Sequence, residues 1–209
     1  MPLAESSDVA FCNAALAMLG EDSISDLLPE SGSTQAMAST LYQRTVDEML
    51  CRHPWNFSTQ RIALSELAAD PPSPWSSQYE LPAGTLRVIR TDIPGEMFSL
   101  YSDTDGSRRL FANRSAIKAD VVVNPGEGNF PPHFAAALIK ELAATFAMPL
   151  TGRPEFATYF RDEARRELAR AIAIDASEHS PRTVADGERD WREGGGTDRS
   201  IPGLYVVPG

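Results

Sequence analysis

Cysteine and histidine are scarce in this chain of 209 residues, which contains two cysteines and three histidines. Cys12 and Cys51 each lie among apolar residues of a predicted helix, a setting typical of buried thiols. The histidines (His53, His133 and His179) are too far apart in sequence to show the spacing of metal ligands. The sequence therefore predicts neither a disulfide nor a metal site, and a core large enough to fold without them.

Long apolar runs are also missing. No stretch approaches the roughly 18 consecutive apolar residues of a membrane-spanning helix, and the first residues lack a basic segment followed by an apolar core, so no secretory signal is predicted. A hydrophobic fraction of 42% and a charged fraction of 23% are typical of a soluble globular protein. We expect one domain, or one domain with an insertion, and no membrane partner.

Basic residues are rare in the first quarter of the chain. Residues 1–50 contain eight acidic side chains and a single basic one, Arg44, which gives a net charge of −7 in a chain whose total is −10. An acidic surface is unsuited to binding phosphates. It does suit a protein past which nucleic acid must slide without sticking, because like charges repel. An acidic surface that only confers solubility is the alternative reading.

Motifs of common catalytic sites are missing as well. The chain has neither of the glycine patterns G-x4-G-K-[ST] and G-x-G-x2-G that cradle phosphates, and it has no G-x-S-x-G nucleophile elbow. Asp47 and Glu48 are neighbours on a helix and point in different directions, so they are no catalytic carboxylate pair. The sequence predicts a protein that is not an enzyme and that holds no cofactor.

Two helices are predicted before residue 54. The first spans Ser7–Leu19 and stops at Gly20. The second runs from about Ser33 to Arg52 and ends because Pro54 disfavours helical geometry at the preceding residue. Its apolar face is predicted to consist of Tyr42, Val46, Met49, Leu50 and His53. Between the two helices lies an acidic loop, in which Ile24, Leu27 and Leu28 are expected to fold back onto the core.

The middle of the chain has strand character. We expect an irregular or partly helical connection from Trp55 to Asp70, followed by one small antiparallel sheet of about four strands. Turns are predicted at 93–95 and 104–107. The candidate strands are Gln78–Leu81, Thr85–Thr91, Met97–Ser102, Arg108–Ala112 and Asp120–Val123.

Two further helices follow the strands. The third is predicted to begin near Pro131 and Pro132 and to end at Met148-Pro149, and the fourth to begin at Arg153-Pro154. Apolar side chains recur every four residues in both helices. In the third these are Phe134, Leu138, Leu142 and Phe146, and in the fourth they are Phe156, Phe160, Ala164, Leu168 and Ile172.

These elements predict an α+β fold, in which a four-helix bundle carries a small antiparallel β-sheet inserted between helices 2 and 3. The bundle comprises residues 1–70 and 124–180, and the inserted sheet comprises residues 71–123. Residues 181–209 form an extended C-terminal arm, because residues 181–200 contain too few apolar side chains to fold alone.

The arm ends in an apolar peptide. A tether of some twenty extended residues reaches roughly 65–75 Å, far enough to leave the parent subunit. Exposed apolar residues there gain nothing in a monomer, so we expect them to bind a partner's sheet edge or groove. A terminus that stays unbound or folds back on its own domain is the alternative. The candidate binding residues are Ile201, Pro202, Leu204, Tyr205, Val206 and Val207.

A set of aromatic and proline residues gives the chain its most specific pattern. Helix 2 is followed at once by H-P-W-x-F, and a W-x3-Y-x-L-P element precedes a strand that contains L-R-V. None of these residues has the chemistry of a catalyst, and all suit a fixed corner between a helix and a sheet. The signature residues are Tyr42, His53, Pro54, Trp55, Phe57, Trp75, Tyr79 and Pro82.

This signature, together with C-N-A-A-L-A-M-L-G at residues 12–20, resembles bacteriophage head-to-tail adaptor proteins of the tail tubular protein A type. Asp47, Leu50, Arg61 and Leu86-Arg87-Val88 also match, so the resemblance covers residues 8–90. The later helices agree only in pattern, and the arm matches no motif.

The resemblance implies a structural role in the virion. It implies a homo-oligomeric ring of about twelve copies beneath the portal protein, through which the genome DNA passes without specific binding. The ring joins the portal to a tail nozzle or stopper protein, and assembly takes place in the host cytoplasm. The arm then binds the portal or a neighbouring subunit. The acidic residues Glu21, Asp22, Asp26 and Glu30 become candidates for lining the channel.

A function from another class is also consistent with the sequence. The chain could be a cellular protein-binding module that recruits one partner through its C-terminal peptide. The two hypotheses differ in assembly, since an adaptor forms rings with a portal and a recruiting module does not.

Overall fold

A computed structural model describes residues 7–28, 32–69, 71–92, 98–103 and 106–178. This part of the chain has an α+β fold of four helices and two small antiparallel sheets. The helices are α1 (Ser7–Leu19), α2 (Ser33–Arg52), α3 (Pro132–Thr151) and α4 (Pro154–Ser177). The strands, which all follow α2 and precede α3, are β1 (Thr59–Ala63), β2 (Ser65–Glu66), β3 (Ser77–Glu80), β4 (Thr85–Thr91), β5 (Ser99–Ser102), β6 (Arg108–Ala112) and β7 (Lys118–Val123).

Helices α1 and α2 have the predicted bounds. Helix α1 ends before Gly20, whose φ of 76° is a left-handed conformation that glycine adopts without strain. Helix α2 ends at Arg52, and His53 is extended, as Pro54 requires. Four of the five residues predicted for the apolar face of α2 are buried, namely Tyr42, Val46, Met49 and Leu50.

The loop after α1 folds back on the core through Ile24 but not through Leu28. Ile24 is buried, and its N–H and C=O both bond to the Asn13 side chain, at 2.8 and 3.0 Å. Leu27 packs against the core as a partly buried side chain. The expectation for Leu28 is wrong, since 60% of this residue is exposed. Its backbone N–H bonds to Asp26 Oδ1, which keeps the chain on the surface at this point.

Helix α3 is central to the helical layer. It contacts α1, α2 and α4, and the four apolar residues predicted for its inner face, Phe134, Leu138, Leu142 and Phe146, are all buried. Within the described residues it is the one helix long and apolar enough to cross a membrane. Packing against three other helices accounts for this composition, because a core helix meets apolar neighbours on several sides.

The predicted end of α3 at Met148-Pro149 is wrong by two residues, since the helix continues past Pro149 to Thr151. A proline so close to the end of a helix removes only one backbone donor. The Thr151 hydroxyl donates to the Ala147 carbonyl at 2.6 Å, and the Gly152 N–H donates to the Met148 carbonyl at 3.1 Å. These bonds satisfy carbonyls of the last turn, and Gly152 terminates the helix in a left-handed conformation.

Fewer of the apolar residues predicted for the inner face of helix α4 are fully buried than the sequence predicts. Phe160 and Ala164 are buried as expected, and Leu168 and Ile172 pack against the core as partly buried side chains. Phe156 is 38% exposed, because it lies in the first turn with the Arg153 guanidinium over its ring at 5.5 Å. Toward the end of the helix the buried positions are Ala171 and Asp175.

The sheet region begins earlier than predicted and forms two sheets instead of one. The expectation of an irregular or partly helical connection up to Asp70 is wrong, since β1 and β2 lie there, before the predicted sheet boundary at residue 71. One sheet has the strand order β1-β7-β4 and the other the order β2-β3-β6-β5. Leu64 alone separates β1 from β2, so the chain passes from one sheet to the other at this buried residue.

The predicted strands lie close to their expected positions. Strands β4 and β6 have the predicted bounds, and β3, β5 and β7 differ by one or two residues at an end. The hairpin predicted around residues 104–107 is confirmed by the antiparallel pairing of β5 with β6. The turn predicted at 93–95 lies outside the described residues.

Two apolar clusters fill the interior. The larger one joins all four helices to Val122 of β7, and the smaller one combines residues of both sheets, including Tyr79 and Leu110 from one and Val88 and Val121 from the other. Alternation along β7 explains this division, because Val121 and Val122 point to opposite faces of their sheet. Strand β7 therefore connects the helical layer to the paired sheets.

The central position of α3 generates a stability prediction. We expect Leu142→Ala to lower the free energy of unfolding by about 2–5 kcal/mol, because truncation of a fully buried leucine leaves a cavity among packed helices. Urea denaturation measures the loss. The control Ile174→Ala truncates an exposed aliphatic side chain, and its effect should stay within about 0.5 kcal/mol. Equal effects of the two variants would contradict the placement of α3.

Candidate functional site

Four of the signature residues, His53, Pro54, Trp55 and Phe57, lie in a corner at the end of α2, which we define as residues 53–58 and call the α2 corner. Trp55 is completely buried there, and its Nε1–H donates to the Met49 carbonyl at 3.0 Å. Arg87 of β4, also part of the resemblance, donates from Nη1 to the Cys51 carbonyl at 2.8 Å. The last carbonyls of a helix have no partner within the helix. The side chains of Trp55 and Arg87 therefore satisfy two of the last carbonyls of α2.

Aromatic rings pack around this corner. The Trp55 and Phe134 ring centroids are 5.1 Å apart, and those of Phe57 and Phe134 are 4.9 Å apart, both with edge-to-face geometry. Phe130 extends the group and contacts both Phe57 and Phe134. Edge-to-face pairs add specific geometry to the apolar burial. The rings thereby fix the direction in which the chain leaves α2 and enters β1.

A buried carboxylate from the last turn of α4 holds the α2 corner. Asp175, in the last turn of α4, is 2% exposed. Its Oδ1 accepts the backbone N–H of Asn56 at 3.0 Å, and its Oδ2 lies 3.3 Å from Nε2 of His53. The Asn56 side chain donates back to the Asp175 carbonyl at 2.7 Å. A buried charge is tolerated only when it is hydrogen-bonded in this way.

The sequence analysis missed Asp175. An acidic residue near a helix C-terminus opposes the helix dipole and is unfavourable without compensation. Asp175 also follows buried Ala171 by four residues, so it lies on the inner face of α4. A lone acid at an apolar position of a helix end is therefore the signal that could have revealed it.

The signature residues do not form one cluster. Tyr42 and Trp55 belong to the helical core, whereas Tyr79 belongs to the core between the sheets, where its hydroxyl donates to the Arg114 carbonyl. Pro54 and Pro82 are exposed, and His53, Phe57 and Trp75 are half-buried. The buried signature residues therefore belong to two separate cores, one among the helices and one between the sheets.

The Tyr42 hydroxyl connects α2 to the turn before α3. It lies 3.5 Å from Glu127 Oε1, at the long limit of a hydrogen bond. Burial, and next the nearby Glu127 carboxylate, raise the pKa of the Tyr42 hydroxyl above its usual value. The hydroxyl therefore remains protonated and acts as the donor.

The acidic residues after α1 lie on the surface. Glu21 and Asp22 are exposed, and Asp26 is half-buried and bonds to the Leu28 N–H at 3.0 Å and to the Ser25 hydroxyl at 2.7 Å. The bonds between Asn13 and Ile24 fix this loop against α1. Three of the four candidate channel residues are thus presented to solvent by an anchored loop, and Glu30 lies outside the described residues.

The candidate binding residues of the arm, Ile201 to Val207, also lie outside the described residues.

Both thiols are held in the neutral form. Burial, and to a lesser extent Asp8, raise the pKa of the Cys12 thiol to about 12, and burial is also the main cause of the raised pKa of Cys51. The thiol and not the thiolate therefore predominates at neutral pH. Among the described residues, the structure groups no three histidine, cysteine or acidic side chains in a way that could hold a metal ion.

Comparison with known proteins adds no family assignment, since no protein-family model and no curated protein matches this chain.

The bonds of Asp175 generate a second prediction. We expect Asp175→Ala to lower the free energy of unfolding by about 1–3 kcal/mol, because it leaves the partly buried Asn56 N–H without its acceptor. Asp175→Asn retains an acceptor oxygen and should lose less. Urea denaturation gives the three stabilities.

The matched control is Asp162→Ala, which removes an exposed carboxylate from the same helix and should change stability by no more than about 0.5 kcal/mol. A loss at Asp175 no larger than that of the control would show that this carboxylate does not hold the α2 corner.

Proposed function

We propose that this chain is a structural virion protein, a bacteriophage head-to-tail adaptor whose ring joins the portal to the tail and forms part of the DNA ejection channel. One observation carries the proposal. Trp55 and Arg87, which both belong to the resemblance, donate hydrogen bonds to carbonyls at the end of α2. They therefore help to form the junction between α2 and the sheets. A motif with this structural role suits a protein whose work is assembly, and the proposed role requires no active site or cofactor.

The proposal also assigns a role to each part of the fold. The four helices form a bundle that is the body of each subunit, and the two sheets form an insertion between α2 and α3. The larger apolar cluster supports a common helical body, because it draws residues from all four helices. The smaller cluster, composed of sheet residues, supports a separately packed insertion.

The acidic loop after α1 is the proposed channel-lining segment. Glu21, Asp22 and Asp26, with Glu30 beside them in sequence, would give each subunit a group of carboxylates, and a ring multiplies that group around the lumen. Like charge repels the DNA phosphates and prevents the genome from sticking during passage. Anchoring by Asn13 supports this role, because a fixed loop keeps its charges at one radius.

The arm is the proposed attachment device. Its apolar peptide, Ile201–Val207, binds the portal or a neighbouring subunit, and a tail nozzle or stopper protein binds the opposite side of the ring. A ring of about twelve arms gains strength from multivalency, because each bound arm raises the effective concentration of the next.

Electron microscopy of the chain mixed with its portal protein tests the proposal. We expect rings of about twelve subunits in register with the portal. A chain that remains monomeric with portal present would contradict the adaptor function and would favour a module that recruits one partner through its C-terminal peptide.

Deletion of Ile201–Gly209 tests the arm within the same function. Virions assembled with the shortened chain should fill with DNA but attach tails poorly or leak DNA. Unchanged tail attachment would exclude the arm as the attachment device and would leave the adaptor proposal standing.

A further inference from the structure

An edge strand with exposed apolar side chains is the feature that the proposed function leaves unexplained. Strand β5 is the last strand of its sheet and, within the described residues, pairs only with β6. Leu100 and Tyr101 of β5 are 40% and 54% exposed. Proteins usually protect such edges with charges or prolines, because an open apolar edge recruits another strand. Strand β5, which reads Ser-Leu-Tyr-Ser, has no such protection.

A groove lies on one face of this sheet, over β3, β6 and the edge strand β5, and we call it the β5 groove. It encloses about 320 Å³, and its lining includes Ala69, Pro72, Gln78, Tyr101, Arg109 and Phe111. The rings of Tyr101 and Phe111 meet edge to face at 5.1 Å. Arg109 forms an ion pair with Asp103 at 2.6 Å, so its charge is compensated at one end of the groove. The space therefore suits an uncharged apolar side chain next to a strand.

The C-terminal arm contains a segment of matching chemistry and length. Residues 201–209 carry no charged side chain. Pro202 and Pro208 lack a backbone N–H and limit strand pairing to the five residues between them, Gly203–Val207, where Leu-Tyr-Val-Val has high strand propensity. Strand β5 has four residues. An apolar strand of this length can pair along β5 and place a side chain in the groove.

We propose that the β5 edge and the β5 groove bind the segment Gly203–Val207 of a second copy of this chain, as an added strand of the four-stranded sheet. The inference rests on the proposed function, because it identifies the second copy as the neighbour in the ring. Each copy offers one arm and one edge, and such a head-to-tail contact closes into a ring when the rotation between copies allows. Some twenty residues reach at most roughly 65–75 Å when fully extended, which is enough to reach a neighbour.

Two full-length variants mixed in equal amounts test where the arm binds. One contains Leu100→Cys, and the other contains Tyr205→Cys or, in a second sample, Val206→Cys, so that both faces of the added strand are covered. Cys51→Ser in all chains removes the half-buried thiol. Mild oxidation should join the two variants in a product of twice the 22.8 kDa chain mass, whose disulfide-linked peptides, identified by mass spectrometry, contain position 100 and position 205 or 206. Ala169→Cys, an exposed position on α4, replaces Leu100→Cys in the control and should give no such product.

Hydrogen exchange provides a measurement that does not depend on the position of the cysteines. Deletion of Ile201–Gly209 should speed the exchange of β5 amides by about tenfold or more and should leave those of β7, paired on both sides, unchanged. Unchanged β5 exchange, or a mixture in which position 100 forms no disulfide with position 205 or 206, would overturn the inference. Rings that form with the portal while these results are negative would refute only the exchange of arms, whereas the absence of rings would refute the adaptor function.

Discussion

A buried carboxylate is stable only when its oxygens find donors, and this constraint joins the last turn of α4 to the end of α2. Asp175 meets it with the Asn56 amide, 119 positions earlier in sequence, and with His53 at the end of α2. The last turn of α4 is therefore fixed against the α2 corner, and with it the point near Glu178 at which the described chain ends. Because the polar contacts of Asp175 are directional, they specify this arrangement more narrowly than apolar packing alone.

The three-stranded sheet depends on the same corner. The chain leaves Trp55 through bonds from the Ser58 and Thr59 amides to the Trp55 carbonyl, and the Ser58 carbonyl then accepts the Val123 N–H at 3.0 Å. Strand β1 thereby starts in register with β7, whose residues reach both apolar clusters. Strand β4 lies on the other side of β7. Asp120 of β7 forms ion pairs with Arg61 of β1 and with Arg90 of β4, so these contacts link the three strands. The position of the α2 corner thus determines, through backbone pairing, where the three strands β1, β7 and β4 lie.

Local signals in the sequence predicted the helices well. Gly20 and Pro54 ended α1 and α2 where expected, since each acts on the backbone of its own neighbours. The end of α3 predicted from Pro149 was wrong, because a proline near a helix end destabilises the helix little. A threonine hydroxyl and a glycine N–H bond to the last carbonyls there. Strands β1 and β2 were missed because they are mostly exposed and short, so they lack the alternating apolar pattern that betrays a half-buried strand.

The candidate site was predictable only in part. Trp55 was identified as a packed residue, but its partner Met49 carbonyl and the Asp175 carboxylate depend on tertiary contacts that no local pattern encodes. The division of the strands into two sheets has the same origin, because β4 pairs with β7 and β3 pairs with β6, partners that are distant in sequence. Periodicity shows which face of an element is apolar, but not which other element covers that face.

The central claim, that this chain forms the ring between portal and tail, is tested most directly by a cryo-electron microscopy map of the virion that carries it. The account predicts that four helices and two small antiparallel sheets fit each subunit of a ring directly beneath the portal, with Glu21 and Asp22 facing the channel. A neck whose density does not accommodate this fold, or in which the acidic loop faces outward, would contradict it.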